Sequence, residues 1–126
     1  MHALIVISHS DPQSLTHAIG RSFAEGITAS GDHSVEIADI AAEGFDPTFN
    51  QADRSAYLLQ KPVPSDVLRE QARIDRADAL VLVYPVNWWS FPGQLKGWID
   101  RVFSNGWAYD EAPDGKLKRR RISSKH

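Results

Sequence analysis

Between residues 79 and 103 the chain changes pattern in a way that few folds accommodate. Ala79-Leu80-Val81-Leu82-Val83-Tyr84 is an apolar run of strand length that stops at Pro85. After Pro92 the apolar residues Leu95, Trp98, Ile99, Val102 and Phe103 recur at i, i+3, i+4, i+7 and i+8, which is one face of an α-helix. Proline suits the first helical turn, where its missing N–H has no partner to lose. An unbroken apolar strand must be covered on both faces, as strands of parallel sheets are. The loop between strand and helix carries two adjacent tryptophans, Trp88 and Trp89. Ligands of open α/β sheets bind beyond the carboxyl ends of strands, so this loop is a candidate ledge for a flat ring.

The preceding residues repeat the alternation. Ala3-Leu4-Ile5-Val6-Ile7 is a second buried-strand run, followed by the polar loop Ser8–Gln13, in which Asp11-Pro12 is turn chemistry. Ser14 is placed to cap a helix reaching about Ser30, along which Leu15, Ile19, Phe23 and Ile27 recur every four residues; Gly31 fits its stop. Val35, Ile37 and Ile40 mark another strand. Glu43–Phe49 is a loop with two aromatics, and residues 51–60 a short helix broken by Lys61-Pro62-Val63-Pro64. Ser65 is a second candidate cap for a helix to about Arg76. Strand and helix in alternation predict a parallel sheet, and right-handed crossovers give the strand order 2-1-3. The loops Ser8–Gln13 and Pro85–Phe91 then meet at one edge of the sheet. The first leads into a helix N-terminus, which favours phosphate, and the second carries the aromatics. A phosphate seat beside an aromatic ledge describes a flavin nucleotide site.

Other classes are disfavoured. The chain has no cysteine, which removes disulfides and thiolate metal sites and points to a reducing, cytoplasmic setting. Apolar runs are too short to cross a bilayer, and the N-terminus enters a strand without leader-like sequence. The histidines His2, His9, His17, His33 and His126 lack metal-ligand spacing, so no metal is expected. No G-x-S-x-G, P-loop or G-x-G-x-x-G occurs. Six of the 14 Lys and Arg residues lie in Lys116–His126, which holds no acid, so residues 1–115 keep eight bases against 16 acids. Such a body repels nucleic acid, and the basic ending reads as a disordered, solvated tail.

Several stretches match a known pattern in order along the chain. These are ALIVISHSDPQSLTHAI, EGFDPTF, QARIDRADALVLVYP, PVNWWSFPGQLKGWIDRVF and NGWAYD. Together they resemble the flavodoxin-like NAD(P)H:quinone oxidoreductases over roughly residues 2–115. The resemblance implies a flavodoxin-like three-layer α/β sandwich, with residues 1–115 as an incomplete flavin-binding domain and 116–126 as a basic tail. It implies an oxidoreductase that passes two electrons from NAD(P)H through a flavin, FAD or FMN, to a quinone, usually as a homodimer. In that family the flavin does the redox chemistry, while the protein supplies position and electrostatics.

Residue by residue, the resemblance puts the flavin diphosphate at His9, Ser14, Leu15 and Thr16, with Leu15 acting through its backbone N–H. Gln71 falls near the adenosine half. Pro85, Val86, Asn87, Trp88 and Trp89 form the ring loop, Asn87 through its backbone. Trp89 lines the pocket shared by nicotinamide and quinone, and Tyr109 covers the pocket of a partner subunit. Family members continue into a fourth strand, a Gly-rich loop, a Tyr/His pair and a fifth strand. Lys116–His126 supplies none of these, so the expected sheet lacks the last two strands and no catalytic residue is assigned. Two other readings follow from that ending: a non-catalytic, dimerising subunit, and a nucleic-acid or anionic-surface binder using Lys116–Lys125.

Overall fold

The computed structural model describes residues 1–111 and 114–119. Three strands, β1 (His2–Ile7), β2 (Ser34–Asp39) and β3 (Ala79–Val83), form a parallel sheet in the order β2-β1-β3. The central strand is buried from Ala3 to Ile7, as its unbroken apolar run requires. Register pairs Ile5 with Ile37 on one side and with Val81 on the other.

Helix α1 (Leu15–Ala29) packs on one face of the sheet. Its contact face is not the every-four stripe. Leu15, Ile19 and Phe23 are exposed, while His17 and Gly20 are buried. Steps of four residues advance about 400°, so such a row winds around the helix instead of holding one face. Gly20 permits the close approach, since a Cβ there would lie 2.5 Å from Ile7 Cδ1. Ser30 rather than Gly31 closes the helix, its N–H and hydroxyl both donating to the Ile27 carbonyl.

The short α2 (Gln51–Tyr57), then α3 (Ser65–Arg76) and α4 (Gly93–Val102), follow the expected order. Ser65 is the first helical residue of α3 and Pro64 holds the cap position. The main core lies between the sheet and α3 and α4, where Leu4, Val6, Ala38 and Ile40 meet Phe45, Ala77, Leu95, Trp98 and Val102. The fully buried Trp98 donates its indole N–H to Glu70 Oε1 at 3.0 Å. Arg73 answers the charge of Glu70 at 3.3 Å and also pairs with Glu36 and Glu43.

Two further strands, β4 (Tyr109–Glu111) and β5 (Leu117–Arg119), pair antiparallel apart from the main sheet. Leu117–Arg119 lies at the start of the segment expected to be a disordered tail. Residues 112–113 and 120–126, the latter being most of the basic segment, lie outside the described residues. Among the described residues, no helix is long and apolar enough to cross a membrane.

Candidate functional site

The carboxyl ends of the three strands are stitched together. Ser8 N–H donates to the Val83 carbonyl at 3.0 Å, and Ile40 N–H to the Ile7 carbonyl at 3.2 Å. The loops leaving β1 and β3 therefore start from adjacent points, as strand order 2-1-3 requires.

The loop after β1 is preformed by its own polar groups. Asp11 N–H donates to His9 Nδ1 at 2.9 Å, and Gln13 N–H to Asp11 Oδ1 at 2.9 Å. Ser14 N–H donates to the Asp11 carbonyl at 3.0 Å, which closes the turn. Because His9 Nδ1 accepts, Nε2 is the donor nitrogen of the neutral ring. Ser14 caps α1, its Oγ accepting the His17 backbone N–H at 3.2 Å. Leu15 and Thr16 follow as the first helical residues, whose N–H groups point out of the helix end. An open hollow of about 300 Å³ lies beside this turn, lined by His9, Ser10, Pro12, His17, Asp39, Ala41 and Ala42.

Two of those lining residues, His17 and Asp39, were missed as site residues. His17 is 5% exposed; its Nδ1 lies 2.8 Å from Ser14 Oγ and its Nε2 2.8 Å from Asp39 Oδ2. Asp39 also accepts the Ala42 N–H at 3.2 Å. A carboxylate can only accept, so Nε2 carries the proton and, in the neutral ring, Nδ1 accepts from the Ser14 hydroxyl. The available signal was an acid at the end of β2 beside a histidine three residues past a serine cap.

The loop after β3 makes a tight turn. Asn87 and Ser90 exchange backbone hydrogen bonds at 3.0 Å each, with Trp88 and Trp89 between them at φ +48° and +60°. Both indoles are 88% exposed, with ring centroids 5.8 Å apart and edge to face. The corner is open to solvent, not plugged by the chain. Val86 and Asn87 are exposed as well, and Pro85 is half-buried. The hollow beside α1 does not include this corner in its lining, so the two halves are joined through the β1–β3 pairing.

Two expected residues lie elsewhere. Gln71 is 3% exposed, and its amide donates to the Val102 carbonyl and to Ser104 Oγ, each at 3.0 Å. It is a strut between α3 and the end of α4. Tyr109 is half-buried on β4, beside a small cavity shared with Phe49, Tyr57 and Arg101. Burial and the nearby Glu111 push its phenol up.

Arg101 ties α4 to α2, α3 and the Asp46 loop. It is 3% exposed and donates to Asp53 at 2.8 Å, to both oxygens of Asp66 at 2.7 and 3.1 Å, and to the Asp46 carbonyl at 2.8 Å. The Arg101 guanidinium holds the Asp66 carboxyl below its usual range, against the opposing effect of partial burial. Among the described residues no group of three or more His, Asp or Glu side chains is arranged to hold a metal ion.

The chain matches the family described as having a flavodoxin-like fold over residues 1–124. It is 32% identical to NAD(P)H dehydrogenase [quinone] 1 of Cavia porcellus, across 87% of this chain and 46% of that protein. It is 28% identical to the ribosyldihydronicotinamide dehydrogenase [quinone] of Rattus norvegicus, across 85% and 53%. Among solved structures, the NAD(P)H:quinone oxidoreductase from Methanothermobacter marburgensis superposes with a TM-score of 0.81 at 37% identity, covering 86% of this chain and 56% of that one. The chain thus spans about half the length of the curated relatives it matches.

Proposed function

The chain belongs to the flavodoxin-like fold family, and from that premise we propose that it serves a flavin-dependent NAD(P)H:quinone oxidoreductase. The observation that carries this reading is the paired geometry of the strand ends: a preformed turn at a helix N-terminus, one strand away from two solvent-facing indoles. The names of the relatives, which are quinone reductases, support the same reaction class.

The residues present fit a flavin nucleotide. His9 and the first-turn N–H groups of Leu15 and Thr16 offer donors suited to a diphosphate, and the Ser14 hydroxyl, 2.8 Å from His17 Nδ1, lies beside them. Trp88 and Trp89 present flat apolar surface to a ring system, with the Asn87 backbone beside them. A bound flavin supplies two-electron redox chemistry between NAD(P)H and a quinone. The chain's own part is to orient the ring, exclude water from one side of it and hold the phosphates. Trp89 lines the place where nicotinamide and quinone alternate. Tyr109 of one copy closes the pocket of the other in a homodimer, a reading supported by the NGWAYD resemblance.

The purified chain is expected to show a flavin absorption band, or to acquire one when FAD or FMN is added, and to reduce a quinone at the expense of NAD(P)H. A colourless chain that takes up neither flavin contradicts the reading. Flavin uptake without turnover supports instead a non-catalytic, dimerising subunit.

A further inference from the structure

Nothing in the family resemblance uses the Ser14–His17–Asp39 chain of hydrogen bonds. Its geometry makes the Ser14 hydroxyl depend on the protonation of an adjacent ring. With His17 neutral, Nε2–H is held by Asp39, and the bare Nδ1 takes the hydrogen of Ser14 Oγ. That hydroxyl also accepts the His17 backbone N–H, so its donor faces inward and nothing is left to offer a ligand. When His17 takes up a proton, Nδ1–H becomes a donor. Ser14 Oγ then accepts twice, and its own hydrogen must turn elsewhere. The same event adds a positive charge to the lining of the hollow, partly offset by Asp39.

We infer that His17 is a positioning residue that acts through Ser14: its protonation frees the Ser14 hydroxyl to donate and so tightens the hold on an anionic ligand at the start of α1. The inference rests on the flavin-site reading above and makes the ligand's diphosphate, not its ring, the part that senses His17. The titratable groups facing His17 are Asp39 at the end of β2 and His9 in the loop after β1, whose ring lies edge-on with centroids 6.3 Å apart. Linkage makes the effect reciprocal: an anion bound there raises the proton affinity of His17.

The test is the dissociation constant of FAD between about pH 5 and about pH 8, the span in which histidine titrates. FAD is the right probe because its diphosphate stays ionised throughout, whereas the phosphate monoester of FMN has its second ionisation near pH 6, with pKa of about 6. Riboflavin carries the same ring without phosphate. The expected result is FAD binding at least about fivefold tighter at the acid end, the lower range of two-site couplings, with riboflavin unchanged. His17→Gln keeps a donor toward Asp39 but cannot titrate, and should flatten the profile. His9→Gln should retain the slope.

A slope that survives in His17→Gln, appears equally with riboflavin, or vanishes in His9→Gln overturns the inference. If His17→Gln does not fold by circular dichroism, an NMR titration of the His17 ring in the unmodified chain decides instead. Its midpoint must rise on adding FAD and stay put with riboflavin. FAD binding without any pH slope overturns this inference alone, whereas no flavin binding at any pH overturns the flavin reading and the inference with it.

Discussion

Trp88 and Trp89 occupy the two central positions of a hairpin turn that suits glycine or asparagine. Two successive positive φ values are the mark of a type I′ turn. For a bulky L-residue each costs about 1–2 kcal/mol. The indoles bury almost nothing within the chain, so no packing offsets the strain. Strained backbone of this kind clusters at sites where a ligand or partner is met. Replacing Trp88 by glycine should therefore stabilise the unliganded fold, by at most about 1 kcal/mol because glycine also loosens the unfolded chain. Thermal unfolding should rise by a few degrees, while FAD affinity falls about tenfold with the lost stacking surface. A lower unfolding midpoint would mean that the indole packs against the protein itself. Two adjacent tryptophans in a loop were legible as a candidate ledge. Their backbone strain was not, because propensity alone would never put tryptophan in that region.

Helix α4 is held against the loop before α2 at unusually short range. A Cβ on Gly97 would lie 2.2 Å from the Pro47 carbonyl oxygen and 2.7 Å from its Cα, both backbone atoms that cannot swing aside. Gly97→Ala should destabilise by about 1–3 kcal/mol through overpacking, seen as a lower urea midpoint with an unchanged slope. Gly26, in α1 with nothing within 4 Å of its Cβ position, is the control; alanine there should stabilise by about 0.5–1 kcal/mol. The helix of Pro92 onward was readable because one apolar face repeats at helical spacing and ends in the core. The face of α1 was not, because a buried histidine and a glycine form the contact while the apolar row winds away. The buried partners of Gln71, a carbonyl and a serine, were not legible for a related reason: they lie on a distant segment. Strands β4 and β5, three residues each, are too short to leave a periodic signal.

The three parallel strands and their order followed from alternation and handedness, and they bring the two loops to one edge of the sheet. What the sequence could not supply was the polar wiring between elements, since pairs such as Arg101–Asp66 and His17–Asp39 join distant segments. This wiring gives the whole molecule an acid limit. Arg101 lowers the Asp66 carboxyl, and the Thr48 N–H lowers that of Asp46. Groups whose folded pKa is depressed contribute stability that is fully present above their unfolded value. That contribution is lost as pH falls through the folded one. The unfolding temperature should therefore fall off below about pH 4, and Asp66→Asn should show a lower plateau with a shallower acid decline. An unaltered decline in that variant would place the acid limit elsewhere. The convergence of the two loops is tested by titrating FAD into the chain and following the emission of its tryptophans. Trp98 and Trp107 are buried, so a change at the exposed pair can be separated by comparison with Trp88→Phe and Trp89→Phe. At about pH 5, where histidine is protonated, a saturable quench that weakens in both of these variants and in Ser14→Ala is the predicted result. FAD binding indifferent to either the indoles or Ser14, or no saturable binding at all, would contradict it.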